Sequence, residues 1–338
     1  MLDIQRNISL KPYNTFRIPV SAHAFIAIND EADLPRLFAQ NDWADRPLLV
    51  LGGGSNILFT KDFEGLVIKM AIGGIQVKEQ GDTVLVRAGA GVVWNDLVQY
   101  CVARGYGGLE NLSLIPGTVG AAPIQNIGAY GVEVKDVFAS CRAWSRKTGE
   151  FKTFSPEECD FAYRESVFKN KLKDEYIICS VCFKLQKNAP VQIHYGAIQQ
   201  ELQQRQIAQP GIADVAAVVS AIRVSKLPDP STIGNAGSFF KNPVLDAAQF
   251  TALQARFPEI VHYPAPGGKM KLAAGWLIEQ CGYKGKVSGH TGTWKNQALV
   301  LVNHGGATGQ EVYSFSEEII ETVDSRFGVR LEREVNIL

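Results

Sequence analysis

Ser238 stands in GNAGSFFKNP (residues 234–243), among small residues and just ahead of two phenylalanines and Lys241. No histidine lies nearby in sequence to act as its base, so the stretch alone admits a turn serine, a nucleophile or another role. A second group, Gly52, Gly53, Gly54, Ser55 and Asn56, follows the apolar run RPLLVL. Consecutive glycines after a strand can aim successive backbone N–H groups at one point, a nest that holds anions such as a pyrophosphate. Ser55 and Asn56 would add side-chain donors; a tight turn is the plainer alternative. A third group is the tract IPGTVGAAPIQNIGAYG (115–131), which carries no charge. A linker would be more polar. Uncharged glycine-rich loops mark places where backbone closely approaches another element or a ligand. Two such loops, both attached to β structure, are able to line the two sides of one extended ligand.

Other chemistries fail on their spacing. A dinucleotide fingerprint needs a third glycine opening a helix, and the run from Gly52 has Ile57 at that position, followed by LFTKDF. A phosphate-binding P-loop needs GK[ST], and PGGKMK has GKM. No HExxH and no paired CxxC is present, so no metal site is expected. The six cysteines are Cys101, Cys141, Cys159, Cys179, Cys182 and Cys281. Cys179 and Cys182 form a CxxC inside the β-rich YIICSVCFKL, where an offset of three puts side chains on opposite faces. Buried thiols in a reducing compartment are the expectation.

These groups need a scaffold, and 338 residues are enough for two or three domains. The composition, 46% hydrophobic and 20% charged, is globular. Lys+Arg and Asp+Glu both number 34, so no basic surplus favours nucleic acid. The first residues, MLDIQRNISLKPYN, lack the apolar core of a signal peptide, and no apolar run is long enough to span a bilayer. A cytoplasmic protein is expected.

IQVKE and TVLVRAGA, joined by QGD, read as a hairpin, and FASCRAWSRKTGEFKTFS as a second one turning at KTGE. Trp94, Leu97, Val98, Cys101 and Val102 share one helical face that stops at Gly105. Val215, Val218, Val219 and Ile222 mark a helix ended by LPDP. LDAAQFTALQARFP, KLAAGWLIEQCG and TGQEVYSFSEEIIETVDSRFG predict three more, the last closed by Gly328. ALVLVN reads as a buried strand. In the closing VRLEREVNIL, Val329, Leu331, Val335 and Ile337 alternate with polar residues, and Arg333 breaks the apolar face. Strands dominate to about residue 187 and mix with helices after it, an α+β pattern.

Taken together, LGGGSN and the 115–131 tract resemble the UDP-N-acetylenolpyruvoylglucosamine reductase family, flavoenzymes that complete UDP-N-acetylmuramate for peptidoglycan. The resemblance extends to NTFRIP, YRES (163–166), SKLPDP (225–230), GNAGSFFKNP and LEREV, so it runs nearly end to end and in order. It implies an FAD-binding fold of the vanillyl-alcohol-oxidase (PCMH) type plus a C-terminal α+β substrate-binding domain. Residues 1–70 with 329–338 would form one FAD-binding subdomain, 71–227 a second, and 228–328 the substrate domain. FAD, held non-covalently, would lie along Gly52, Gly53, Gly54, Ser55, Asn56, Gly117, Thr118, Gly120, Ala121, Asn126, Gly128 and Ala129. NADPH would be the co-substrate, using the same cleft in turn, which accounts for the missing nicotinamide motif and implies ping-pong kinetics.

The resemblance also assigns roles. Arg164, which alone reads as a surface arginine, would grip the carboxylate of UDP-N-acetylglucosamine enolpyruvate as charge builds there. Ser238 would donate the proton to carbon, and Glu334, otherwise a solvated strand residue, would act with Arg164 on the enol intermediate. Tyr195, Lys226, Asn242 and Gln297 would meet the UDP diphosphate region, and Tyr195 suggests the form of the family with an extra tyrosine-bearing loop. A monomer without nucleic-acid, membrane or metal partners is expected. Two rivals are another flavin-dependent sugar oxidoreductase of this fold and a non-catalytic nucleotide-sugar-binding protein. The Arg164, Ser238 and Glu334 set argues against an oxidase, which has no reduced alkene to protonate.

Overall fold

The computed structural model describes residues 2–39, 43 and 46–338. The chain forms two compact units. One comprises Met1–Ile8, Ala22–Gly53 and Glu64–Arg223; the other comprises Ser9–Ser21, Gly54–Phe63 and Val224–Leu338.

In the first unit, a four-stranded sheet has the order Gln5–Ser9, Ser21–Ile28, Phe63–Met70, Leu48–Leu51, the last pair being parallel. A larger sheet orders Phe151–Phe154, Phe138–Ser145, Tyr176–Lys187, Thr83–Gly89 and Ile75–Gln80, all antiparallel, and both hairpins read from the sequence lie in it. Leu97, Val98 and Cys101 of the helix Trp94–Val102 pack with Val84, Val86, Val181, Phe183 and Leu185 in one core cluster. Trp94 is buried there too, and its ring nitrogen donates to the carbonyl of Leu112 at 2.9 Å. Trp144, Ile177 and Cys179 instead join Ile26, Leu66 and Ile68 in a second cluster.

The alternation expected for the CxxC strand is interrupted. The pairing of 138–145 with 176–187 slips between Arg142 and Ala143, beside Cys179. Ile178 and Val181, three residues apart, consequently pack in the same cluster. A bulge of this kind shifts the side-chain parity of everything beyond it. Five of the six thiols are buried, and burial pushes Cys101 and Cys179 up to about 12.

In the second unit, an antiparallel sheet orders Gly234–Ser238, Gln297–Asn303, Thr291–Trp294 and Val287–Ser288. A three-stranded sheet of Val244–Leu245, Lys269–Leu272 and His262–Ala265 accompanies it. The helix Gly309–Phe327 opens on a capping box between Thr308 and Glu311 and closes on Gly328, which takes the left-handed φ of 68°. Val312, Phe315, Ile319, Val323 and Phe327 line its buried face. Asn336–Ile337 pairs in parallel with Ile57–Leu58, bringing the end of the chain beside the residues that follow the glycine run. Among the described residues no helix is long and apolar enough to cross a membrane, and no cluster of side chains could hold a metal ion.

Candidate functional site

In the first unit the two glycine loops touch. A Cβ added at Gly52 would lie 2.6 Å from the Thr118 hydroxyl, and one at Gly53 would lie 2.8 Å from the Gly117 Cα. Any larger residue would push the loops apart. The tract is also fastened from behind: Val119 N–H donates to Val92 O at 2.9 Å and Gly120 N–H to Ala90 O at 3.0 Å. Lys69, on the neighbouring strand, donates to the carbonyl of Gly52 at 2.6 Å, and burial lowers its pKa. The Thr118 hydroxyl is buried without a protein partner. Such a group costs about 1–3 kcal/mol if nothing pairs with it. A hydroxyl of this kind beside a glycine turn fits a ligand that brings acceptor oxygens.

Asn126 organises the far end of the tract. Fully buried at φ 45°, it donates to Glu133 and to the Ala162 carbonyl, both at 3.0 Å, and accepts from Lys135 N–H at 3.0 Å. Its amide is thus engaged with protein partners, and its backbone N–H donates to the Pro123 carbonyl at 3.4 Å.

Arg164 is drawn to this same tract. Its guanidinium donates to the Gly128 carbonyl at 2.8 Å. Ala162 and Glu165 exchange backbone bonds of 3.0 and 3.1 Å, so Tyr163 and Arg164 occupy the tip of a tight turn. Arg164 adopts φ 59° there, a left-handed conformation costly for a non-glycine residue and held only where the surroundings enforce it. The enforcing contacts are Asn126 on the Ala162 carbonyl and Lys169, which donates to the Arg164 carbonyl at 2.9 Å.

Tyr195 caps the helix Gly196–Gln204 and is 43% exposed. Its ring meets Tyr130 edge-on at 5.3 Å. Burial raises the pKa of Tyr130 and lowers that of the neighbouring Arg223. Tyr130 and Arg223 escaped the sequence reading, although Tyr130 lies inside GAYG and Arg223 only three residues before Lys226.

The second unit holds Gly54, Ser55, Asn56, Lys226, Ser238, Asn242, Gln297 and Glu334. Ser238 ends its strand after a register slip between Asn235 and Ser238, where Gly237 takes φ 70° and donates to the Asn235 side chain at 3.0 Å. Bulges of this kind re-aim a side chain. Directly after Ser238 the chain forms a short ladder with the C-terminal segment. Lys241 N–H donates to Glu332 O and Glu334 N–H to Phe239 O, both at 2.8 Å, around the Phe240–Arg333 bridge. The structure therefore sets Glu334 across from the residue that follows Ser238. Asn56 joins them, its side chain donating to the Glu334 carbonyl at 3.3 Å. Gly54, at φ 65°, has the Tyr13 carbonyl where a side chain would begin. Lys241 pairs with Glu332 at 2.5 Å.

Asn242 and Gln297 converge on the start of the helix Ala274–Gln280. The Asn242 side chain accepts from Ala274 N–H at 3.0 Å, and Gln297 Oε1 lies 2.7 Å from where a Gly275 Cβ would stand. Asn296 donates to the Ser225 carbonyl at 3.0 Å, which keeps exposed Lys226 near Gln297.

Residues 22–155 match a family described as an FAD binding domain, and residues 229–338 match the UDP-N-acetylenolpyruvoylglucosamine reductase C-terminal domain. Curated proteins named UDP-N-acetylenolpyruvoylglucosamine reductase are similar along the whole chain. That of Flavobacterium johnsoniae is 49% identical, covering 100% of both chains. That of Pseudomonas aeruginosa is 51% identical, covering 99% of both. A solved UDP-N-acetylenolpyruvylglucosamine reductase from Thermus caldophilus aligns over 100% of this chain and 99% of its own, with a TM-score of 0.70 and 24% identity. A 6-hydroxy-D-nicotine oxidase from Arthrobacter nicotinovorans aligns over 98% of this chain and 87% of its own, with a TM-score of 0.56 and 12% identity. At these identities the two structures speak to the fold alone.

Proposed function

The chain belongs to the UDP-N-acetylenolpyruvoylglucosamine reductase family, and from that premise we propose that it reduces the enolpyruvyl ether of UDP-N-acetylglucosamine enolpyruvate to UDP-N-acetylmuramate, with NADPH as the reductant, in peptidoglycan precursor synthesis. The fold is the α+β one expected, an FAD-binding domain followed by the family's C-terminal domain. Gly52, Gly53 and the buried, unpaired Thr118 hydroxyl suit an FAD pyrophosphate, with Gly117, Gly120, Ala121, Asn126, Gly128 and Ala129 along the same tract. Gly54, Ser55 and Asn56 continue the first loop. Bound FAD supplies the hydride chemistry.

The observation that best supports the reading is the ladder between residues 239–241 and 332–334, which puts Glu334 beside the strand end bearing Ser238. Hydride addition to the terminal alkene carbon leaves negative charge on the carbon next to the carboxylate. That carbon then needs one proton, and Ser238 is the proposed donor. Glu334 is proposed to stabilise the resulting enol, and Arg164 to hold the carboxylate through its fork of N–H donors. Lys226, Asn242, Gln297 and Tyr195 are proposed to bind the diphosphate end of the substrate. We further propose a cytoplasmic monomer, ping-pong kinetics, and the three-part division at 1–70 with 329–338, 71–227 and 228–328.

A split assay on Ser238→Ala tests the reading. NADPH should still bleach the flavin, while reoxidation by the enolpyruvyl substrate slows by roughly 10²–10⁴-fold, the usual worth of a positioned acid. Normal reoxidation would remove Ser238 from the mechanism, and a wild-type flavin that the enolpyruvyl substrate never reoxidises would overturn the function itself.

A further inference from the structure

We propose that Arg333 is a positioning residue, which fixes the register of the C-terminal segment and so the place of Glu334; the proposal rests on the function just given. In sequence Arg333 is an anomaly, because it shares the parity of buried Val329, Leu331 and Val335. Its side chain is only 17% exposed. Its Nε donates to the hydroxyl of fully buried Ser316 at 2.8 Å, and its Nη2 donates to Glu317 at 2.6 Å. Its guanidinium lies 4.5 Å from the centre of the Tyr313 ring. All three partners sit on the helix Gly309–Phe327. Three residues earlier, Arg330 reaches Asp324 of the same helix at 3.5 Å.

The spacing of these contacts defines one register. Three extended residues cover about 10 Å. The helical stretch from Asp324 back to Ser316 and Glu317 covers about 11 Å. The segment therefore runs back along the helix with both arginines in step with their partners. Apolar contacts from Leu331 and Val335 carry less register information, since a slip of two residues keeps the same face inward. A guanidinium fork bound to two separate acceptors does not tolerate that slip. Glu332 and Glu334 flank Arg333 and pair across the ladder with Lys241 and Phe239. Holding Arg333 thus holds Glu334 opposite the chain that leaves Ser238.

The test compares half-reactions of flavin-loaded Arg333→Met, Arg333→Lys and Glu317→Gln. For Arg333→Met, reoxidation of reduced flavin by UDP-N-acetylglucosamine enolpyruvate should slow by about 10–100-fold, the scale of a misplacement near 1 Å. Reduction by NADPH should stay within about twofold of wild type, and the KM for the enolpyruvyl substrate should change less than kcat. Lysine should restore part of the loss, since it carries the charge but cannot reproduce the fork. Glu317→Gln removes one arm from the helix side and should slow the same half-reaction; combined with Arg333→Met it should add little. Reoxidation at the wild-type rate in a folded Arg333→Met overturns the proposal, and so does an equal fall in both half-reactions. Should Arg333→Met fail to fold, Glu317→Gln decides by the same criteria. A wild-type enzyme that lacks the reoxidation step would fault the functional reading instead.

Discussion

The Lys69 ammonium donates to the Gly52 carbonyl at 2.6 Å, so one peptide plane of the glycine turn is held by a half-buried cation. Partial desolvation already lowers the lysine's pKa, and the contact to Gly52 is what the structure offers in exchange. Hydrogen bonds from charged groups contribute about 1.5–3 kcal/mol. Lys69→Met should therefore weaken FAD binding by at least about tenfold, read as the dissociation constant from flavin fluorescence on titration into apoprotein. An unchanged constant would mean that the turn keeps its shape without the cation. Nothing in GLVIKM marks this lysine, because its partner is a backbone carbonyl outside its own strand. Ser238 and Arg164 were singled out by the motifs around them. The left-handed φ of Arg164 was not, since the contacts that enforce it come from Asn126, Lys169 and the Ala162–Glu165 pairing.

At the scale of elements, the helix Gly309–Phe327 carries two carboxylates that hold neighbouring parts of the second unit. Arg333 keeps the Glu317 carboxyl below the usual range, and Lys286 with Tyr283 does the same for Glu318. A carboxylate with a depressed folded pKa adds stability above its unfolded value near 4.3, and that contribution is lost as pH falls through the folded pKa. Both groups are partly exposed, so salt screens part of the effect. Melting midpoints of wild type should fall as pH drops below about 4.3, and those of a Glu317→Gln, Glu318→Gln double variant should fall less there. Equal slopes would show that these pairs do not couple to folding. The helix itself was readable because its apolar positions recur at helical spacing between a capping box and Gly328. Gly196–Gln204 was not, with only Ile198 and Leu202 buried along it. The strand Gly234–Ser238 was hidden for another reason: glycine and asparagine are poor strand formers, and pairing with Gln297–Asn303 imposes the conformation.

For the molecule as a whole, the informative feature is that the second unit is assembled from three separated segments. The family's C-terminal domain spans 229–338, yet that stretch leans on residues far upstream. Asn235 N–H donates to Thr15 O, the Asn303 side chain to Phe16 O, Asn336 N–H to Asn56 O, and Leu338 N–H to Leu58 O. Thr60 N–H in turn donates to Leu338 O at 2.7 Å. At roughly 1 kcal/mol each, these bonds amount to a large share of the ~5–15 kcal/mol that holds a typical domain folded. Phe16 and Phe59, both almost fully buried, add apolar burial of about 1.5–3 kcal/mol apiece. A fragment of residues 229–338 expressed alone should therefore lack a cooperative thermal transition by circular dichroism and should bind a hydrophobic dye. Supplying the upstream segments in the full chain should restore a sharp transition. A fragment that melts cooperatively by itself would show that the contacts with 9–21 and 54–63 ornament a self-sufficient domain. The hydrogen bonds and buried rings make these segments part of its core, and the discontinuity is why linear sequence, read from one end to the other, does not reveal which residues complete it.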